Sequence, residues 1–304
     1  MKLAPIVLFV YNRPVHTKKT INSLKKNYLA SKSNIFIYSD GPKSKNDFED
    51  VNKVRRYLKT VQGFKKITII EKKNNLGLAK SVIKGVTEVV NKYGKIIVLE
   101  DDLLTSRYFL TFMNSALEYY KDEKKIWHIS GWNYPIRFRN NDGVYCYRLV
   151  NTWSWATWKN RWKHYEINIE KTLNQFSKEE IKRFNLDGYN NNLWKQLLLN
   201  HKKKINTWAI FWYIVIFKNN GLCLNPTKSF VKNIGFDGSG VNTHDYSYKD
   251  NKVLNYNRNI KFKKITQEDN QNLKIIKNYL MNSKRNYMSK IFTRIKFFKK
   301  KINL

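Results

Sequence analysis

The chain has only two cysteines in 304 residues, Cys146 and Cys223. That excludes a disulfide framework, and neither falls in a Cys-x-x-Cys or Cys/His metal spacing. A reducing compartment is the simple expectation. Long hydrophobic runs are also missing. The longest, Trp208 to Phe217, falls far short of the ~20 residues that cross a bilayer. The apolar start, Leu3 to Tyr11, is followed by Asn12-Arg13-Pro14 rather than by a small-residue cleavage site, so it reads as a buried strand, not a leader. Acidic residues are scarce too: 23 Asp and Glu stand against 58 Lys and Arg, a formal charge of +35. Such a surplus predicts attraction to anionic partners, among them phosphorylated substrates, anionic lipid and nucleic acid. The many Lys-Lys and Asn-Asn pairs also fit a compositional drift toward Lys and Asn.

The apolar and aromatic content is ample, at 42% and 15%. A chain with that much Tyr, Phe and Trp buries enough surface to offset the ordering entropy of folding. Up to about residue 130, β-branched runs alternate with helical patterns. The runs are Ile6 to Tyr11, Ile35 to Ser39, Ile67 to Glu71, Ile96 to Glu100 and Ile126 to Ser130. Between them Phe48, Val51, Val54 and Leu58 repeat at helical spacing, as do Val82, Val86, Val89 and Tyr93. This alternation predicts an α/β fold with a mostly parallel central sheet and flanking helices.

Ligands of such sheets bind beyond the carboxyl ends of the strands. The segments found there are Tyr11-Asn12-Arg13-Pro14, Ser39-Asp40-Gly41-Pro42, Asn74-Asn75-Leu76-Gly77 and Glu100-Asp101-Asp102. Three adjacent carboxylates repel one another, and a hard divalent cation makes such a cluster tolerable. Mg²⁺ or Mn²⁺ held by one carboxylate and two diphosphate oxygens would neutralise a departing nucleoside diphosphate. An acidic turn starting the next helix is the plainer alternative.

After residue 130 the alternation stops and aromatics gather: Trp132, Tyr134, Tyr145, Tyr147, Trp153, Trp155, Trp158 and Trp162. Trp158 and Trp162, four apart, are expected in the core. Trp153 and Trp155 precede the helical pattern, and either core packing or stacking on an acceptor sugar suits them. The stretch Met281 to Leu304 is rich in Lys and Arg and has no acid. Met288, Phe292, Ile295, Phe298 and Ile302 fall on one face of a basic amphipathic helix, which suits an anionic membrane surface or docking on the protein. The expected organisation is 1–130, a nucleotide-sugar-binding α/β half; 131–250, an acceptor-binding and catalytic half of the same domain; and 251–304, a basic extension.

Taken together, Tyr11-Asn12-Arg13-Pro14, Ser39-Asp40-Gly41, Asn75-Leu76-Gly77 and Leu99-Glu100-Asp101-Asp102 resemble the GT-A glycosyltransferases. In particular they are similar to bacterial polysaccharide sugar transferases related to the N-acetylglucosaminyltransferase I group. Trp153 to Trp158 with Arg161-Trp162, Thr207 to Trp212 and Asn233 to Gly240 extend the resemblance from about residue 4 to residue 245. It implies a Rossmann-like GT-A fold and a hexosyl- or N-acetylhexosaminyltransferase. The donor would be a nucleotide-sugar, with UDP favoured, and the acceptor a saccharide or lipid-linked sugar of cell-surface polysaccharide synthesis. It also implies that Asn12 and Arg13 line the nucleotide pocket and that Asp40 contacts the base. Asn75 and Gly77 would sit near the diphosphate or ribose, Asp102 would ligate Mn²⁺ or Mg²⁺, and Asp101 and Glu100 would reach ribose and donor sugar.

An inverting transferase needs a base opposite the leaving group. Some relatives carry an acid within the segment equivalent to Trp208 to Trp212, and this sequence has none there. Asp237 and His244 are the nearest substitutes, with Glu100 behind them. Each also has a plainer reading, Asp237 as a turn former and His244 as a surface residue.

A sugar nucleotidylyltransferase is the nearest enzymatic rival, but its glycine-rich first loop is absent at Tyr11 to Pro14. A nucleic-acid-binding protein is the rival of another class, and acidic residues in the expected cleft count against it. A relative without activity is the third. The expected location is cytoplasmic, on the inner face of the membrane.

Overall fold

The computed structural model describes residues 2–138, 143–239, 254–265 and 267–282. Its strands are β1 (Ile6–Val10), β2 (Asn34–Ser39), β3 (Lys66–Glu71), β4 (Lys95–Glu100) and β5 (Leu103–Thr105) in the first part of the chain. Then come β6 (Ile126–Ser130), β7 (Val144–Tyr147), β8 (Trp155–Trp158), β9 (Leu222–Pro226) and β10 (Val231–Asn233). Eight strands form one sheet in the order β3-β2-β1-β4-β8-β6-β9-β7, and β10 pairs with β5 in a separate ribbon. The run β3-β2-β1-β4 is parallel, whereas β8 enters antiparallel between β4 and β6. All five runs expected as strands are strands. The expected mostly parallel sheet is present, with β6 and β9 also paired in parallel; β8 interrupts it, because Trp155 to Trp158 returns from the second half to take the place beside β4.

Four helices of the first half matter for the site: α1 (Pro14–Lys25), α2 (Phe48–Lys59), α3 (Leu78–Tyr93) and α4 (Phe109–Tyr119). Pro14 occupies the first turn of α1, where its missing N–H costs nothing. Gly77, at φ 75°, opens α3, and Gly94, at φ 81°, closes it in the left-handed conformation that side chains resist. On β1, Ile6, Leu8 and Val10 pack toward Ile21 and Leu24 of α1. The alternate residues Val7 and Phe9 pack toward Val82, Val86 and Val89 of α3. Layers on both faces bury the strand completely, which is why it reads as a continuous apolar run. On α2 the apolar stripe is Val51, Val54 and Leu58, whereas Phe48, expected on that stripe, is exposed in the first turn.

The second half completes the same sheet. Trp158 and Trp162 are buried, as their spacing predicts. Past the sheet, Ile265, Leu273 and Ile276 are buried, so residues up to the helix at 270–282 belong to the packed body. The basic stripe from Met288 to Ile302 lies outside the described residues. Among the described residues no helix is long and apolar enough to cross a membrane.

One buried group of this core carries a pH signature. His128 on β6 is fully buried; its Nε2 lies 2.9 Å from the Asn151 carbonyl, while Nδ1 accepts from Trp212 Nε1 at 3.2 Å. The ring is therefore the neutral Nε2–H form. Burial pushes its pKa down to about 4. Between the ordinary His value near 6.5 and that value the unfolded chain binds a proton that the fold refuses, so stability held above pH 6.5 is lost as pH falls. The loss amounts to about 3 kcal/mol. Urea unfolding between pH 7 and pH 4 should show His128→Gln losing about 3 kcal/mol less over that interval than wild type. Equal losses would rule out this role.

Candidate active site

The strand order turns at β1 and β4, so the crevice beyond their carboxyl ends is the expected ligand position of an open α/β sheet. Asn12 and Arg13 follow β1 there, and Glu100, Asp101 and Asp102 end β4. Arg13 lies at the start of α1 and reaches across to both Asp101 and Asp102, the latter at 3.1 Å. Two turns along, the Thr20 hydroxyl donates to the Asp101 carbonyl at 2.7 Å and fixes α1 against the end of β4.

The charges here are tightly linked. Burial pushes Glu100 up to about 8, with repulsion from Asp102 and Asp101 adding to it. Burial likewise lifts Asp101 to about 6, against the pull of Arg13. Burial opposes the Arg13 charge too, but Asp101 and Asp102 outweigh it and hold the guanidinium protonated. The triplet thus carries more negative charge than one guanidinium neutralises. Among the described residues Arg13 Nη1 is buried without a hydrogen-bond partner.

A divalent cation can be judged against this donor set. Among the described residues no group of three or more His, Cys, Asp or Glu gathers to hold a metal. The described residues therefore build no all-protein cage. Mg²⁺ and Mn²⁺ need only one or two carboxylates when phosphate oxygens and water complete the shell. Asp102, whose carboxylate has Arg13 as its side-chain partner, fits that smaller demand.

A loop from the second half closes onto this cluster. β10 pairs antiparallel with β5, and the Ile234 N–H donates to the Asp102 carbonyl at 2.9 Å. Gly235 then lies so close that an added Cβ would overlap the Asp102 carboxylate and stand 3.2 Å from Arg13 Nη1. Two residues on, Asp237 meets His16 of α1, with Nε2 and Oδ2 3.1 Å apart. The short segment that touches Asp102 thus also carries Asp237. His244 lies outside the described residues.

The other expected donor residues form the wall beyond β2 and β3. Asp40 accepts from the backbone N–H groups of Gly41, Leu76 and Gly77, each at 2.9 Å. Asn75 donates from its side chain to the Gly41 carbonyl at 2.8 Å. In this structure Asp40 organises the Asn75 to Gly77 turn at the start of α3. Asn12 donates to Asp47, which also caps the turn at Ser44. Asp47 and His16 were not legible as site residues. Their signal is positional: Pro14 in the first turn of a helix puts His16 one turn from Arg13.

The two tryptophans part company. Ser154 between them adopts φ 61°, a left-handed value that splits their directions. Trp155 is buried and stacks on Trp208 and His128, at 5.2 and 5.5 Å. Its expected acceptor-facing role is corrected: as a residue of β8, within the sheet, it belongs to the core. Trp153 is only partly buried and packs edge-on against Trp132 and Phe236, next to Gly235. The segment Trp208 to Trp212, which lacks an acid, runs into the helix Ala209–Lys218, where Ile210 to Phe217 are all buried.

The family model described as "Glycosyl transferase family 2" matches residues 6–126, which span β1 to the start of β6 and include every residue of the carboxylate cluster. Over those residues the chain is similar to the family 2 glycosyltransferases. Its fold is of the GT-A type, with a Rossmann-like sheet and flanking helices. No curated protein matches the sequence. Among solved structures, a mannosyltransferase from Pyrobaculum calidifontis in complex with GDP-Man and Mn²⁺ is 11% identical, with a TM-score of 0.41 over 72% of this chain and 69% of that one. Residues 1–349 of TarS from S. aureus are 9% identical, TM-score 0.43, over 75% and 59% of the two chains. GalNAc-T7 with UDP, GalNAc and Mn²⁺ is 12% identical, TM-score 0.45, over 74% and 42%. At such scores these likenesses transfer no residue role to this chain.

Proposed function

We propose that the protein is a metal-dependent, inverting glycosyltransferase that moves a hexosyl or N-acetylhexosaminyl group from a nucleotide-sugar, preferably a UDP-sugar, to a saccharide or lipid-linked acceptor. The observation that carries this reading is the carboxylate triplet at the β1/β4 turn of the sheet, with Asp101 and Asp102 buried, under-neutralised by Arg13 and capped by the Gly235 loop. Asp102 would hold Mn²⁺ or Mg²⁺, which when bound supplies positive charge to the diphosphate as it leaves. The unpartnered Nη1 of Arg13 suits a phosphate oxygen. Asp40, by fixing the Asn75 to Gly77 turn, presents the start of α3 toward the nucleotide. Trp153, on the outer side of the Gly235 loop, is the candidate for stacking on the acceptor. Cell-surface polysaccharide synthesis on the cytoplasmic side of an anionic membrane is the setting in which the charge of +35 would bring enzyme and lipid-linked acceptor together.

The test is a donor-hydrolysis screen with Mn²⁺ across UDP-, GDP-, dTDP- and CMP-sugars. Nucleoside diphosphate release from UDP-sugars above the others is expected. Release from GDP-sugars alone would overturn the base preference, and release from none would overturn the reading.

A further inference from the structure

The loop that caps the carboxylate triplet also brings a histidine to the site. His16 stands in the first turn of α1, one turn past Arg13, with its side chain 12% exposed. Its Nε2 faces Asp237 Oδ2 at 3.1 Å. The other carboxylate oxygen of Asp237 is taken by Ser239, through the backbone N–H at 3.0 Å and the hydroxyl at 2.6 Å. Gly235, two residues before Asp237, lies against Asp102 and Arg13. The pair therefore stands in the wall that holds the triplet.

Asp237 by itself is poorly placed to accept a proton. One oxygen already receives two hydrogen bonds from Ser239 and the other faces His16, and Ser239, with a smaller share from His16, holds its carboxyl below the usual range. His16 is placed better. With its proton on Nε2, toward the Asp237 carboxylate at 3.1 Å, the ring has its lone pair on Nδ1, and among the described residues Nδ1 forms no hydrogen bond. A carboxylate that fixes an imidazole tautomer so that the opposite nitrogen takes a proton is the arrangement of base and orienter known from nucleophilic catalysis.

We infer that His16 is the proton acceptor of the transfer reaction and that Asp237 is its positioning residue. The inference rests on the glycosyl-transfer reading. The acceptor hydroxyl gives its proton to His16 Nδ1 as its oxygen bonds the anomeric carbon. The bond from that carbon to the diphosphate oxygen breaks, and its electron pair leaves with the nucleoside diphosphate. In donor hydrolysis, water takes the acceptor's place. The Asp237 carboxylate facing Nε2 stabilises the imidazolium that forms, and Ser239 keeps the carboxylate from turning away.

Turnover of the full chain, with Mn²⁺ and whichever donor the wild type hydrolyses, tests the pair. His16→Ala should lose about 10²-fold or more in kcat, the range of general-base catalysis, with the donor KM little changed. Free imidazole should restore at least about tenfold of that loss, which a merely structural histidine would not permit. His16→Gln, which retains a donor toward Asp237, should be as inactive as His16→Ala while melting like wild type. Asp237→Asn should lose less than His16→Ala and show no imidazole rescue, because the base is still present. Wild-type turnover in His16→Ala would overturn the inference, as would a kcat loss that imidazole leaves untouched. A larger loss in Asp237→Asn than in His16→Ala would make the carboxylate itself the base. A wild type that releases nucleotide from no donor would refute the glycosyl-transfer reading, a failure distinct from that of the pair.

Discussion

Asp102→Asn is expected to abolish donor hydrolysis and transfer, a loss of about 10³-fold or more, while the fold persists. The amide has nearly the shape of the carboxylate, and its carbonyl oxygen still accepts from Arg13, so local packing is spared. The variant loses a full negative charge at the position nearest the Gly235 loop. A neutral amide oxygen is a weak ligand for a hard cation, and this site offers too few protein ligands to compensate. The effect should lie in turnover and in the Mn²⁺ concentration needed, not in thermal stability. Removing one of three clustered carboxylates also removes repulsion, so the melting temperature of the metal-free protein should stay level or rise. Activity near the wild-type level would refute the assignment of Asp102.

Gly235→Ala is expected to cost nearly as much, though the residue carries no reactive group. Its Cβ would overlap the Asp102 carboxylate and stand 3.1 Å from the Asp102 Cγ. Neither partner yields freely: the carboxylate is held by Arg13, and the loop is tied by the Ile234 hydrogen bond and the β10–β5 pairing. The methyl must displace either the carboxylate or the loop that carries Asp237. Both moves disturb the reaction, and a shift of about 1 Å costs on the order of 10²-fold. The accompanying loss of stability should be about 1–3 kcal/mol, the usual cost of overpacking. Steady-state kinetics with circular-dichroism melts would check both numbers. An active Gly235→Ala would mean that the loop moves aside in the working enzyme.

The sequence exposes the first half of this molecule well and the second half poorly, for physical reasons. β1 to β4 are short, doubly buried strands separated by amphipathic helices, so hydrophobic period and local turns are enough to place them. The carboxylates at the end of β4 follow from that placement. β8 depends on nothing local: Trp155 to Trp158 is a strand because β4 and β6 leave a gap between them. For the same reason Trp155 looked available to a sugar and is buried. Asp237 was legible as a polar residue beside glycine, but its partner was not, since His16 lies 221 positions away by subtraction and only the docking of the loop on α1 joins them. Asp40 shows the opposite limit. Its location after β2 was plain from the pattern, whereas its three backbone hydrogen bonds belong to a turn that forms around it.

The central claim is that the triplet ending in Asp102 works on a nucleotide-sugar through a divalent cation. The most direct measurement is nucleoside diphosphate release from a UDP-sugar by the wild-type chain and by Asp102→Asn, with Mn²⁺ and with a chelator in its place. The account predicts release by wild type with Mn²⁺, none once the chelator is present, and none from Asp102→Asn under either condition. Release that continues at the same rate in chelator, or that survives in Asp102→Asn, would contradict it.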